Sequence, residues 1–199
     1  MDRELFRETE WSKIYGTSAA HLHWESKFLD PSFTVSFASI RERWAELDNI
    51  ARLDFSVAFS AKACLSEEDM AIVEFLMDVA DANVCSNIAG MVAMLKDKQK
   101  AALLLTTKID SSPGPLSNYF QALGQLGEQI TIPKMRETYR KYTRSYGKNE
   151  TLDLRDYAYC CKALLDLEGL EEYRLSLVEL TQSGDHKIAA LANRLLKKG

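Results

Sequence analysis

The sequence predicts an all-α fold, and three observations carry that prediction. Breakers are scarce: 9 Gly and 4 Pro among 199 residues leave long uninterrupted windows, which helices need and a turn-rich sheet protein lacks. Apolar residues recur every three or four positions instead of alternating. Capping residues stand at the heads of successive apolar windows. With 46% hydrophobic and 27% charged residues, the chain has the composition of a globular protein.

The first 54 residues stand apart. Trp11, Tyr15, Trp24, Phe28, Phe33, Phe37 and Trp44 make them aromatic-rich, and all three tryptophans lie there. Asp30, Pro31 and Ser32 divide them into helical pieces over about 8–28 and about 36–51. Such a segment reads as a helical cap over the apolar face of the next helices, or as an exposed aromatic binding surface. Residues 55–199 then read as one continuous run of helices.

Ser66, Glu67, Glu68 and Asp69 form a helix start, where a hydroxyl and early carboxylates meet unpaired N–H groups and the positive helix end. Met70, Val73, Phe75, Leu76 and Val79 supply the stripe behind it. Asp81 caps a second helix carrying Val84, Ile88, Val92 and Leu95, a stripe expected to be buried between helices. A third helix runs from about Lys98 to Ile109 and stops at Ser111, Ser112, Pro113, Gly114 and Pro115. A fourth spans about Leu116 to Leu126, and a fifth about Ile132 to Tyr146. The remaining three run over about Leu152–Leu167, about Leu170–Leu180, and from Asp185 to the end. Connections of a few residues favour antiparallel neighbours.

Two of these helices echo each other. The series Asp81, Val84, Ile88, Ala89, Val92, Leu95 resembles the shorter series Asp185, Ile188, Leu191, Ala192, Leu195, each an Asp followed by apolar residues at near-helical spacing. Leu95, Leu126 and Leu167 close every second helix, 31 and then 41 residues apart, with the extra length at Gly147–Thr151. Over about residues 66–199 this pattern resembles the HEAT-repeat family of α-solenoids. The resemblance implies a short right-handed solenoid of stacked antiparallel helix pairs behind an N-terminal cap. An irregular helical bundle is the alternative.

Candidate chemistry is sparse. His21, His23 and Glu25 have metal-ligand types, but the four-residue histidine spacing of helical zinc sites is missing and His186 is far along the chain. Cys64, Cys85, Cys160 and Cys161 all sit in apolar helical stretches, without a Cys-x-x-Cys pair, and read as buried thiols. A dyad of Cys64 or Cys160 with a histidine would be the route to a thiol enzyme. No catalytic residue, metal site or cofactor is expected.

Charge is more informative. Glu67, Glu68, Asp69, Glu74, Asp78 and Asp81 occupy a stretch without Lys or Arg. The spacing of Glu67, Glu74, Asp78 and Asp81 puts these four on one helical face, an acidic strip suited to a basic protein partner or else a solvated face. Conversely Lys134, Arg136, Arg140, Lys141, Arg144 and Lys148 cover one broad face of about 160°, while Met135, Tyr139, Tyr142 and Tyr146 form the opposite, packing stripe. Separating rings from charges in this way disfavours a single-stranded nucleic-acid site, which needs both on one surface.

The net charge of −4 also argues against coating nucleic acid by bulk charge. No apolar run approaches a membrane span, and the first residues, charged with both signs, lack a signal-peptide core. The expected compartment is the cytoplasm. HEAT-like stacks generally hold other proteins, so the resemblance implies a non-enzymatic protein-binding module, including a neutraliser of a basic toxin such as an immunity protein. The second reading is a nucleic-acid-binding module resembling HEAT-like DNA glycosylases, with Arg136, Arg140, Lys141, Arg144 and Lys148 supplying its channel. A metal- or thiol-dependent enzyme is the third.

Overall fold

The computed structural model describes residues 35–60, 62, 65–79, 81–146 and 153–197. Among them are ten α-helices and no strand, and 77% of the described residues are helical. The helices are α1 (Phe37–Arg43), α2 (Asn49–Ser60), α3 (Glu67–Met77), α4 (Ala82–Val92), α5 (Lys98–Lys108), α6 (Ser117–Leu126), α7 (Ile132–Ser145), α8 (Leu154–Glu168), α9 (Glu171–Leu180) and α10 (His186–Leu196). Short 3-10 turns follow α1 at Trp44–Glu46 and precede α7 at Gln129–Thr131. Contacts divide the chain into two compact units, Met1–Lys96 and Asp97–Gly199. Residue 54, where the composition changes, falls within α2.

In the first unit α1 packs on α3, α2 on α4, and α3 on α4. Its core holds Ile40, Phe55, Phe59, Ile72, Leu76 and the stripe Val84, Ile88, Val92 and Leu95, all buried. Trp44 is buried too, edge-on to Phe55 at 6.1 Å and to Phe75 at 6.0 Å. The continuous helix expected over 36–51 is interrupted here. Leu47 is extended, and the Asp48 carboxylate accepts from the Ala51 N–H at 2.8 Å, so a new helix starts at Asn49. Arg52 Nε donates to the Trp44 carbonyl at 3.2 Å and so satisfies the end of the broken turn.

Several of the expected helix starts carry side-chain caps. The Ser66 hydroxyl accepts from the Asp69 N–H, while Asp69 accepts from the Ser66 N–H, a reciprocal capping box. Asp81, Asp97, Asp153 and Asp185 cap α4, α5, α8 and α10 more simply, each carboxylate accepting from N–H groups two or three residues on. Lys62 is buried 2.9 and 2.8 Å from the two Asp69 oxygens, which pins the loop before α3 onto the helix start.

In the second unit α8 lies at the centre and packs on α6, α7, α9 and α10. Helices α6, α8 and α10 lie side by side. On the other side α7 meets α9 through Tyr139, whose ring is 5.0 Å and edge-on from Tyr173 and whose hydroxyl is 2.9 Å from Ser176 Oγ. Met135 is buried, and Tyr139, Tyr142 and Tyr146 pack against the cluster of Tyr157, Cys161, Leu177 and Leu195. The tyrosine stripe of α7 is therefore packing surface, in keeping with its spacing.

Candidate functional site

The α6, α8 and α10 layer carries an open groove of about 260 Å³. Its floor depends on two small residues. A Cβ placed on Gly124 of α6 would stand 3.3 Å from both Cα and Cβ of Ala163 on α8, so the two helices approach as closely as their backbones allow. Phe120 and Leu195, both buried, form apolar walls from α6 and α10.

Polar groups converge above this floor. Gln121 and Gln125, exposed and one turn apart, line it from α6. Tyr159, Lys162 and Asp166 line it from α8 at helical spacing, and Arg194 from α10. Lys162 Nζ lies 2.6 Å from Asp166 Oδ1, with the lysine side chain only 12% exposed. The Arg155 guanidinium stands 6.0 Å from the Tyr159 ring centroid, one turn back along α8. The volume falls below the roughly 300–1,000 Å³ of sites that enclose a whole small molecule. It suits a side chain and adjoining backbone of a longer ligand.

The acidic strip does not form one helical face. Helix α3 ends at Met77 with Asp78 as its C-cap, and Asp81 belongs to the next helix. Asp81 Oδ1 accepts from the Asn83 N–H at 2.9 Å and the Val84 N–H at 3.1 Å, so the carboxylate is engaged in capping. The physical reason is competition: a helix start recruits the nearest Asp, and the chain must turn before α4. Glu74 and Asp78 are exposed one turn apart, and Glu67 opens α3. The acidic segment also has a cation that its own residues do not reveal, since Lys62 neutralises Asp69.

The basic face of α7 is largely engaged within the unit. Arg136 Nε donates to Glu168 Oε2 at 2.9 Å, and its other nitrogen also meets Glu168. Lys134 pairs with Asp110 and Glu137, and Lys141 Nζ lies 2.8 Å from Glu137. Arg140 and Arg144 are exposed, without an ion pair among the described residues. Lys148 lies outside the described residues, as do Trp11, Trp24, His21, His23, Glu25 and Cys64.

Cys85, Cys160 and Cys161 are buried. The Cys85 thiol donates to the Val79 carbonyl at 3.1 Å and the Cys160 thiol to the Met135 carbonyl at 3.6 Å. Burial pushes the Cys160 and Cys161 thiols well above their ordinary range, which disfavours the thiolate a nucleophile needs. His186 is exposed at the first position of α10. Among the described residues no three His, Cys, Asp or Glu side chains form a metal-binding group, and no helix is long and apolar enough to cross a membrane.

Sequence reasoning misses the groove. Its residues come from three helices, and the one local signal is a glycine inside α6, which marks close packing when nothing else explains it. Compared with protein families, with curated proteins and with solved structures, the chain shows no match.

Proposed function

We propose that the chain is a non-enzymatic protein-binding helical-repeat protein whose helix pairs stack as a short right-handed, HEAT-like solenoid. The neighbour pattern supports the stacking. In each unit helices pack on the next but one: α1 on α3 and α2 on α4 in the first, α6 on α8 and α8 on α10 in the second. Two-layer stacks of helix pairs have this adjacency. The buried, free thiols of Cys160 and Cys161 suit a reducing compartment such as the cytoplasm.

The observation that carries the binding function is the α6, α8 and α10 groove. Its mixed apolar and hydrogen-bonding lining is what a partner's chain segment requires. Affinity capture from the native host tests this reading. A partner held by the wild-type chain should be lost with Gln125→Trp, which fills the groove from an exposed position, and retained with Arg144→Glu. A partner lost with Arg144→Glu but not with Gln125→Trp would place binding on α7 and overturn the reading.

A basic partner on Glu74 and Asp78 is the second reading, as an immunity-type neutraliser would use, because both are exposed one turn apart on a helix without Lys or Arg. Nucleic-acid binding by α7 is supported less, since Arg136 and Lys141 already face carboxylates of their own unit.

A further inference from the structure

We propose that the groove receives an extended, acidic segment of the partner, with a carboxylate on Arg194 and main chain along Gln121 and Gln125. This rests on reading the groove as a protein-binding surface. The charges in the groove point to the acidic ligand. Lys162 and Asp166 offset each other at 2.6 Å. Arg194 is exposed at the rim and has no ion pair or hydrogen bond among the described residues. The groove therefore holds one uncompensated positive charge beside the apolar Phe120 and Leu195. A guanidinium there takes a carboxylate in two parallel hydrogen bonds, strengthened where water is excluded. A basic segment would bring like charge against it.

The glutamines select an extended chain. Four residues along α6 separate Gln121 from Gln125, a rise of about 6 Å. An extended strand advances about 6.6 Å over two residues. Successive carboxamides, each both donor and acceptor, can therefore meet main-chain groups of alternate residues. With α8 lying between α6 and α10, this hydrogen-bonding wall faces the cationic one. A nucleic acid is a poorer fit, because phosphate-tracking sites use several free cations and the groove lining offers one, with Arg155 one turn beyond it on α8.

Fluorescence anisotropy on the full chain tests this with three labelled, end-capped eight-residue peptides that alternate Val with Glu, Gln or Lys. The Glu peptide should bind about tenfold tighter than the Gln peptide, the value of one charge-assisted pair. Arg194→Gln should erase that difference, and Arg194→Glu should make the Lys peptide the better ligand. Equal binding of the Glu and Gln peptides, abolished by Gln125→Trp, would overturn the acidic preference while leaving the protein-binding function standing. No binding of the Glu peptide at millimolar concentration would overturn the inference, and the capture experiment would then decide the broader function alone. An oligonucleotide that binds in an Arg194-dependent manner and displaces the Glu peptide would assign the groove to nucleic acid and overturn both.

Discussion

Two helical glycines look alike in the sequence and differ in what surrounds them. Gly90 in α4 has no heavy atom within 4 Å of the position a Cβ would take, whereas Gly124 in α6 meets Ala163 at 3.3 Å. Replacing a helix-interior glycine by alanine gains about 0.5–1 kcal/mol of backbone propensity. Overpacking costs about 1–3 kcal/mol. Gly90→Ala should therefore stabilise the protein by about 0.5–1 kcal/mol in urea unfolding, while Gly124→Ala should be neutral or destabilising. Equal stabilisation by both would mean that α6 and α8 are not in close approach. Other single-residue features are equally hidden. The partner of Arg136 is Glu168, 32 positions away, so a face that looks unpaired in sequence is paired in space. Asp81 fits both a cap and the acidic strip by its position; capping prevails because its carboxylate meets two N–H groups of its own helix.

At the scale of elements, the chain is most readable where the signal is local. The caps at Ser66, Asp81 and Asp185 and the stripe from Val84 to Leu95 can be read from spacing alone, and the structure shows both. The start of α6 cannot. Its N-cap residue Leu116 supplies no side-chain acceptor, and the Leu116 N–H instead donates to Asp156 Oδ2 of α8 at 2.7 Å, across 40 positions. Asp156 is 4% exposed and its second oxygen has no hydrogen-bond partner among the described residues. Burial, opposed by the Leu116 hydrogen bond, pushes its carboxyl up to about 6 from 3.8. The folded state thus holds this proton more tightly than the unfolded chain. The resulting stability is fully present below pH 3.8 and is lost as pH rises through about 6. Asparagine keeps the acceptor without the charge. Asp156→Asn should match wild type near the acid end of this window and exceed it at neutral pH, by up to about 3 kcal/mol. Urea unfolding of both proteins across the window measures this, and a difference independent of pH would contradict the assignment.

For the whole molecule, helical content is legible because it sums many local preferences, each reinforced by the scarcity of glycine and proline. The groove is not, because it exists only once α6, α8 and α10 lie side by side and Gly124 seats against Ala163. No periodicity along one helix encodes which residues of three helices will share a surface. The most direct test of binding in the groove is amide hydrogen exchange on the full chain, with and without the captured partner. Protection is expected over Ser117–Leu126, Leu154–Glu168 and His186–Leu196, with Glu67–Met77 and Ile132–Ser145 unchanged. Protection confined to Glu67–Met77 or to Ile132–Ser145, with the three groove helices unaffected, would contradict the claim that the groove is where this protein binds.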